Sequence, residues 1–230
     1  TYLGGTGTDR GYAITVMEKH AVLTGETDSP DFPMGWLNTE LGPSYLSPSG
    51  LKDAFVTGLD EYGSAIKYSV YLGGTKDDVG LGIDANPQYG IWVVGRTASS
   101  DLPDTADTYQ PNHAGGSEDA FVSLHGINLR LPPRGGISYE DGHVSIHTSY
   151  LGGSGEDYAT GIALAPGRES FISGTTTSYD FPLKNPYDDT LDGGQDAFVS
   201  EFSAAGATDL LFSTYLGGND IEEGYAIAVD

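Results

Sequence analysis

The residues with chemistry to offer are acids, and they recur. A carboxylate stands seven residues after the Tyr of each of four Tyr-Leu-Gly-Gly motifs: Asp9, Asp78, Asp157 and Glu222. Neighbouring acids share the same short loops, namely Asp77, Glu156 and Asp220. Hard cations such as calcium take six to eight oxygens from carboxylates, carbonyls and water, so each loop supplies part of such a shell. The alternative is an Asx-turn, in which the side chain closes one strand against the next. A separate acidic group, Asp188, Asp189 and Asp192 with Asp196, surrounds Gly193-Gly194. Its oxygens are suitably spaced, but it lacks the EF-hand order and the terminal Glu. Calcium is the one cofactor these residues suggest, and the turn reading stands beside it.

Other chemistries find less support. His143 and His147 lie four apart in a strand-like stretch, which places them about 13 Å apart on one face, too far for one metal. No nucleophile-elbow Ser appears, and no phosphate-cradling Gly loop opens a helix. Acids for glycoside chemistry would have to come from the first strand of each unit. Those strands offer Glu18, Asp84 and Asp230 at three different aligned positions, so no pair is defined.

A second polar signature, Gly-x-Thr-x-Ser-x-Asp-[Phe/Leu]-Pro, occurs at residues 25–33, 95–103 and 174–182. Its hydroxyls and carboxylate alternate as in a ligand site. Its recurrence favours scaffolding, since an active site needs to be built only once. Ser, Thr and Asp side chains bind nearby backbone in turns, and the Pro fixes the exit. Phe32, Leu102 and Phe181 are then expected to plug between neighbouring units.

The elements that position these residues follow from the repeat. The Tyr-Leu-Gly-Gly motifs start 69, 79 and 65 residues apart, which makes a tandem array with one long member. Each unit holds four short stretches rich in β-branched and aromatic residues, bounded by Gly, Asp, Ser and Pro. The first runs over 11–17, 80–85, 159–165 and 224–230, and the second over 20–25, 90–95 and 169–174. The third opens with Asp-Ala-Phe-Val at Asp53, Asp119 and Asp196, and the fourth leads into Tyr-Leu-Gly-Gly. No segment sustains a helical period.

The expected fold is all-β: four-stranded antiparallel sheets laid out as β-propeller blades. The whole of 1–230 reads as one propeller segment with blades at 11–74, 80–153 and 159–218. Residues 1–5 and 224–230 are expected to belong to partial, flanking blades. The units exceed the roughly 40–50 residues of familiar blades, and the excess lies between the second and third strands. The second unit also carries an insertion, since Asp119 and Tyr150 are 31 residues apart against 18 and 19 in its neighbours. Residues 126–139, around Pro132-Pro133-Arg134-Gly135-Gly136, read as a projecting hairpin, either a binding loop or a tolerated elaboration.

Taken together, the two signatures and Asp-Ala-Phe-Val resemble the bacterial SBBP family of β-propeller repeats over nearly the whole chain. Local departures are Ala159 in place of Gly, Leu102 in place of Phe, and Leu51-Lys52 in place of a Gly-rich turn. The resemblance implies a propeller within a secreted or cell-surface bacterial protein. It implies no catalytic residues.

Composition narrows the partners. With 33 acids against 10 bases the chain has a net charge of −23, which disfavours nucleic acid and anionic membranes. No apolar run approaches 18 residues, so direct membrane insertion is not expected. There is no Cys, hence no disulfide and no thiolate metal site. The expected function is a non-catalytic extracellular scaffold or interaction module for adhesion or assembly. Its expected partners are other blades of a larger propeller, neighbouring subunits, or a surface protein or glycan. The competing reading is a carbohydrate-active propeller that binds or cleaves polysaccharide.

Overall fold

A computed structural model describes residues 1–35, 45–127, 144–167, 169–203 and 207–230. The strands are β1 (Asp9–Met17), β2 (His20–Thr27), β3 (Asp53–Leu59), β4 (Ile66–Leu72), β5 (Asp78–Asn86) and β6 (Gly90–Thr97). They continue with β7 (Asp119–Ile127), β8 (Val144–Leu151), β9 (Asp157–Leu164), β10 (Ser170–Thr176), β11 (Asp196–Phe202) and β12 (Leu210–Leu216). They form three four-stranded sheets, β1-β2-β3-β4, β5-β6-β7-β8 and β9-β10-β11-β12, each an antiparallel meander. Residues 1–5 and 224–230, expected to belong to flanking blades, form no strand. Most of the proposed 126–139 hairpin falls at 128–143, outside the described residues; only Gly126 and Ile127 are seen, extending β7.

The first two strands of each sheet reach two residues further than their apolar patterns predict. The reason is a polar pair at the sheet end: Asp9 opposite Thr27, Asp78 opposite Thr97 and Asp157 opposite Thr176. Each first strand also carries one extra residue, at Tyr12, Leu81 and Thr160. Such a bulge bends the strand and pushes a carbonyl toward its partner. The Gly of Gly-x-Thr receives that carbonyl. A Cβ on Gly25, Gly95 or Gly174 would meet the Arg10, Val79 or Tyr158 oxygen at 1.8, 1.9 or 2.0 Å.

Two apolar layers join the three sheets. Val56, Val70 and Leu72 of the first sheet pack on Ile83, Val93 and Tyr150 of the second. The opposite face of the second sheet, with Trp92, Val94 and Val122, packs on Ile172, Phe198 and Tyr215 of the third. The run Ile91-Trp92-Val93-Val94 in β6 therefore alternates between two buried faces. Fully burying each such side chain contributes about 1.5–3 kcal/mol, so these layers hold the stack together. The first strands of successive sheets lie side by side, β5 against both β1 and β9.

Candidate functional site

The recurrent polar residues converge at one end of each sheet, where one unit passes into the next. In the third unit, Asp157 Oδ2 accepts the Gly153 amide and the Ser178 hydroxyl, each at 2.8 Å, and Oδ1 accepts the Thr176 hydroxyl. Ser178 Oγ in turn accepts the Gly155 amide at 2.8 Å. Asp180 Oδ1 accepts both the amide (2.7 Å) and the hydroxyl (2.9 Å) of Ser154. The Tyr215 hydroxyl closes the cluster on the Ser178 carbonyl at 2.6 Å. Asp9, Ser29, Asp31 and Tyr71 repeat this set in the first unit, and Asp78, Ser99, Asp101 and Tyr150 in the second.

This geometry accounts for both glycines of Tyr-Leu-Gly-Gly. A methyl on Gly73 would stand 2.7 Å from an oxygen of Asp53 and 2.7 Å from one of Asp78. A methyl on Gly74 would stand 2.4 Å from Asp101 Oδ1. The Phe after the Asp packs on its own sheet: Phe181 lies against Phe198 and Tyr215, within the layer shared with the second sheet, and Phe32 lies against Phe55 and Tyr71.

Each joint also brings together two acids that sequence reasoning kept apart. Asp53 faces Asp78, and Asp119 faces Asp157 across Gly152, whose Cβ would lie 2.9 Å from Asp119 Oδ1 and 2.7 Å from Asp157 Oδ2. All four carboxylates are buried. Asp53 accepts the Ser49 and Gly50 amides, and Asp119 Oδ2 accepts the Ala114 amide, while Asp119 Oδ1 is left with no hydrogen-bond partner. Burial pushes Asp53 up to about 6 and Asp78 and Asp119 up to about 7, and raises Asp157 and Asp196 as well. His113 Nδ1 sits 3.6 Å from Asp119 Oδ2, but burial lowers its pKa, so it is a neutral neighbour there. The one available sequence signal was the Asp opening each Asp-Ala-Phe-Val, which recurs at the same sheet end as Asp9, Asp78 and Asp157.

The calcium candidates divide between the joints and the surface. Both oxygens of Asp9 and Asp157 and Oδ2 of Asp78 are met by N–H and O–H donors, while Asp78 Oδ1 is buried with no hydrogen-bond partner; a cation requires a shell of inward-facing oxygens. Glu156 accepts Ser117 and Tyr158 hydroxyls, and Glu222 accepts the Gly218 amide. Asp188 accepts the Thr190 amide and hydroxyl, and the Asp192 amide donates to Asp196. Asp189 and Asp220 are exposed, and Asp77 Oδ1 is buried with no hydrogen-bond partner. Among the described residues no three acids or histidines come together as a ligand set.

The acids considered for glycoside chemistry are also dispersed. Asp84 ties three first strands together: it accepts the Thr15 hydroxyl at 3.3 Å and the Leu164 amide at 2.9 Å from its own place in β5. Glu18 occupies the β1–β2 turn with φ of 59°. Asp230 is exposed. A further polar tie escaped sequence reasoning. His125, fully buried in β7, bonds Tyr68 of the first sheet through Nδ1 at 2.6 Å and Ser123 through Nε2 at 3.1 Å, and Ser123 reaches Thr148 at 3.0 Å. A groove of about 430 Å³ beside Tyr2, Met34, Leu59 and Ile66 has no acid, base or His in its lining.

No family model matches the chain, and no curated protein matches it.

Proposed function

We propose that the chain is a β-propeller-type scaffold at the cell surface or outside the cell, presenting loops to a protein partner. The observation that carries this reading is that the recurrent polar residues are spent on structure: Asp157 holds Thr176 and Ser178 of its own sheet and the Gly153 amide of the linker from the preceding sheet, and Tyr215 holds Ser178. Side-by-side first strands, stacked sheets and a meander in each unit support the propeller arrangement. The resemblance to SBBP repeats and the net charge of −23 support an extracellular setting. Specific recognition then belongs to residues that differ between units.

A second reading, glycan binding, is favoured by one observation. Tyr179 and Tyr187 stand exposed on the connection between β10 and β11, and aromatic faces of this kind stack on sugars. Arrays of purified surface proteins and of glycans separate the two readings. Protein binding lost in a loop variant and kept in Ser99→Ala supports the scaffold. Glycan binding lost in Tyr187→Ala supports the second, and polysaccharide cleavage by the purified chain overturns both.

A further inference from the structure

The layer between the first and second sheets encloses a histidine where the layer between the second and third encloses a phenylalanine. His125 is the sixth residue after the Asp of Asp-Ala-Phe-Val in β7, and Phe202 holds that place in β11. Both are 0% exposed. Phe202 lies among the apolar side chains of the second layer, edge-on to Tyr109. His125 stands opposite Ile91 of β6 and Ile146 of β8, two isoleucines of the first layer.

Among the described residues, the ring nitrogens of His125 meet hydroxyls alone. Tyr68, from β4 of the first sheet, lies 2.6 Å from Nδ1, and Ser123 lies 3.1 Å from Nε2. Thr148 of β8 backs Ser123 at 3.0 Å. Tyr45 shares the layer with Tyr68, and its own hydroxyl donates to Asp104 at 2.7 Å. Hydroxyls can accept from both nitrogens of an imidazolium, but they bring no negative charge to offset it. Burial alone holds the His125 pKa down, so the ring takes a proton readily only once it reaches water.

We propose that the interface between the first and second sheets is an acid latch, in which protonation of His125 parts these two sheets and leaves the second and third packed. The bond that gives way is Tyr68 to His125, and parting opens Val56, Val70, Ile83 and Val93 of the first layer to solvent. The second layer has no such trigger. His147, opposite Leu124 of that layer, is half-buried and takes a proton without any parting of sheets. Each interface carries its own reporter. The Asp78 amide donates to the Lys52 carbonyl at 2.8 Å across the first, and the Asp157 amide donates to the Glu118 carbonyl at 3.0 Å across the second.

Amide exchange at Asp78 and Asp157, followed by NMR and corrected for intrinsic rate, tests the proposal. A ring that accepts a proton near 6.5 when open and refuses it when closed gives about 30-fold more opening at about pH 5 than at about pH 7.5. Between those values Asp78 is expected to lose protection by about that factor relative to His125→Phe, while Asp157 behaves alike in both proteins. The comparison cancels the joint acids, which both proteins retain. Equal loss at Asp78 and Asp157 overturns the proposal, as does the same loss at Asp78 in His125→Phe. Imidazole NMR of the parent needs no variant. The His125 ring is expected to stay neutral at about pH 5 in the closed form, and a ring that titrates near 6.5 with Asp78 still protected overturns the latch. Both measurements are made without ligand, so they are independent of whether the loops bind protein or glycan.

Discussion

The Tyr150 hydroxyl donates to the carbonyl of Ser99, 51 residues earlier, at 3.0 Å and receives the Leu102 amide at 3.0 Å. The Tyr that heads a Tyr-Leu-Gly-Gly motif thus clasps the Thr-x-Ser-x-Asp loop of its own sheet. Tyr150→Phe leaves a buried carbonyl and a buried amide unpaired, with an expected loss of about 1–3 kcal/mol. Urea unfolding measures it, and Tyr187→Phe, at an exposed ring, should stay within about 0.5 kcal/mol of the parent.

Gly95 and Gly11 offer a contrast between two glycines of one repeat. A methyl on Gly95 meets the Val79 carbonyl at 1.9 Å, while one on Gly11 meets nothing within 4 Å. Gly95→Ala is expected to abolish soluble folded protein, because backbone on both sides of the contact must move. Gly11→Ala should express and melt like the parent.

The joint acids set a pH dependence with a definite sign. Asp119 titrates near 7 in the fold against about 3.9 unfolded, so between those values the native state holds the extra proton. That contribution to stability is present below about 4 and is lost as pH rises through 7. Protonated, Asp119 no longer sets a second buried charge near Asp157. Asp119→Asn supplies a neutral group there at every pH. Its melting temperature is expected to exceed the parent's at pH 8, with the difference shrinking toward pH 5; equal pH profiles for the two proteins would count against the shared joint.

His125 contributes with the opposite sign. Burial lowers it to about 3, so the native state refuses a proton that the unfolded chain accepts below about 6.5, and stability falls as pH drops through that window. Its bond to Tyr68 joins the first and second sheets. A double-mutant cycle of Tyr68→Phe and His125→Leu should return a coupling of about 0.5–3 kcal/mol.

Calcium removal is expected to leave the protein unaltered. Asp9 and Asp157 already meet N–H and O–H donors at both oxygens, so EDTA should shift the melting temperature by less than about 1 °C, a result calorimetry reads directly. A larger fall would restore the loop carboxylates as ligands.

The strands, their order and the unit length are legible along the chain. Those are local properties: β-branched and aromatic runs, Gly-bounded turns and a repeated motif are visible along the chain. The sequence also marks Asp9, Asp78 and Asp157 and the Thr-x-Ser-x-Asp loops, because recurrence exposes what every unit needs. What those residues meet depends on how the sheets stack. Asp119 and Asp157 belong to different units and come together because one sheet stacks on the next. Asp84 is a strand tie for the same reason, since its partners Thr15 and Leu164 arrive from both neighbouring sheets. Ile14 and Ile83 are the same letter at the same place in the repeat, and stacking alone leaves one open and buries the other.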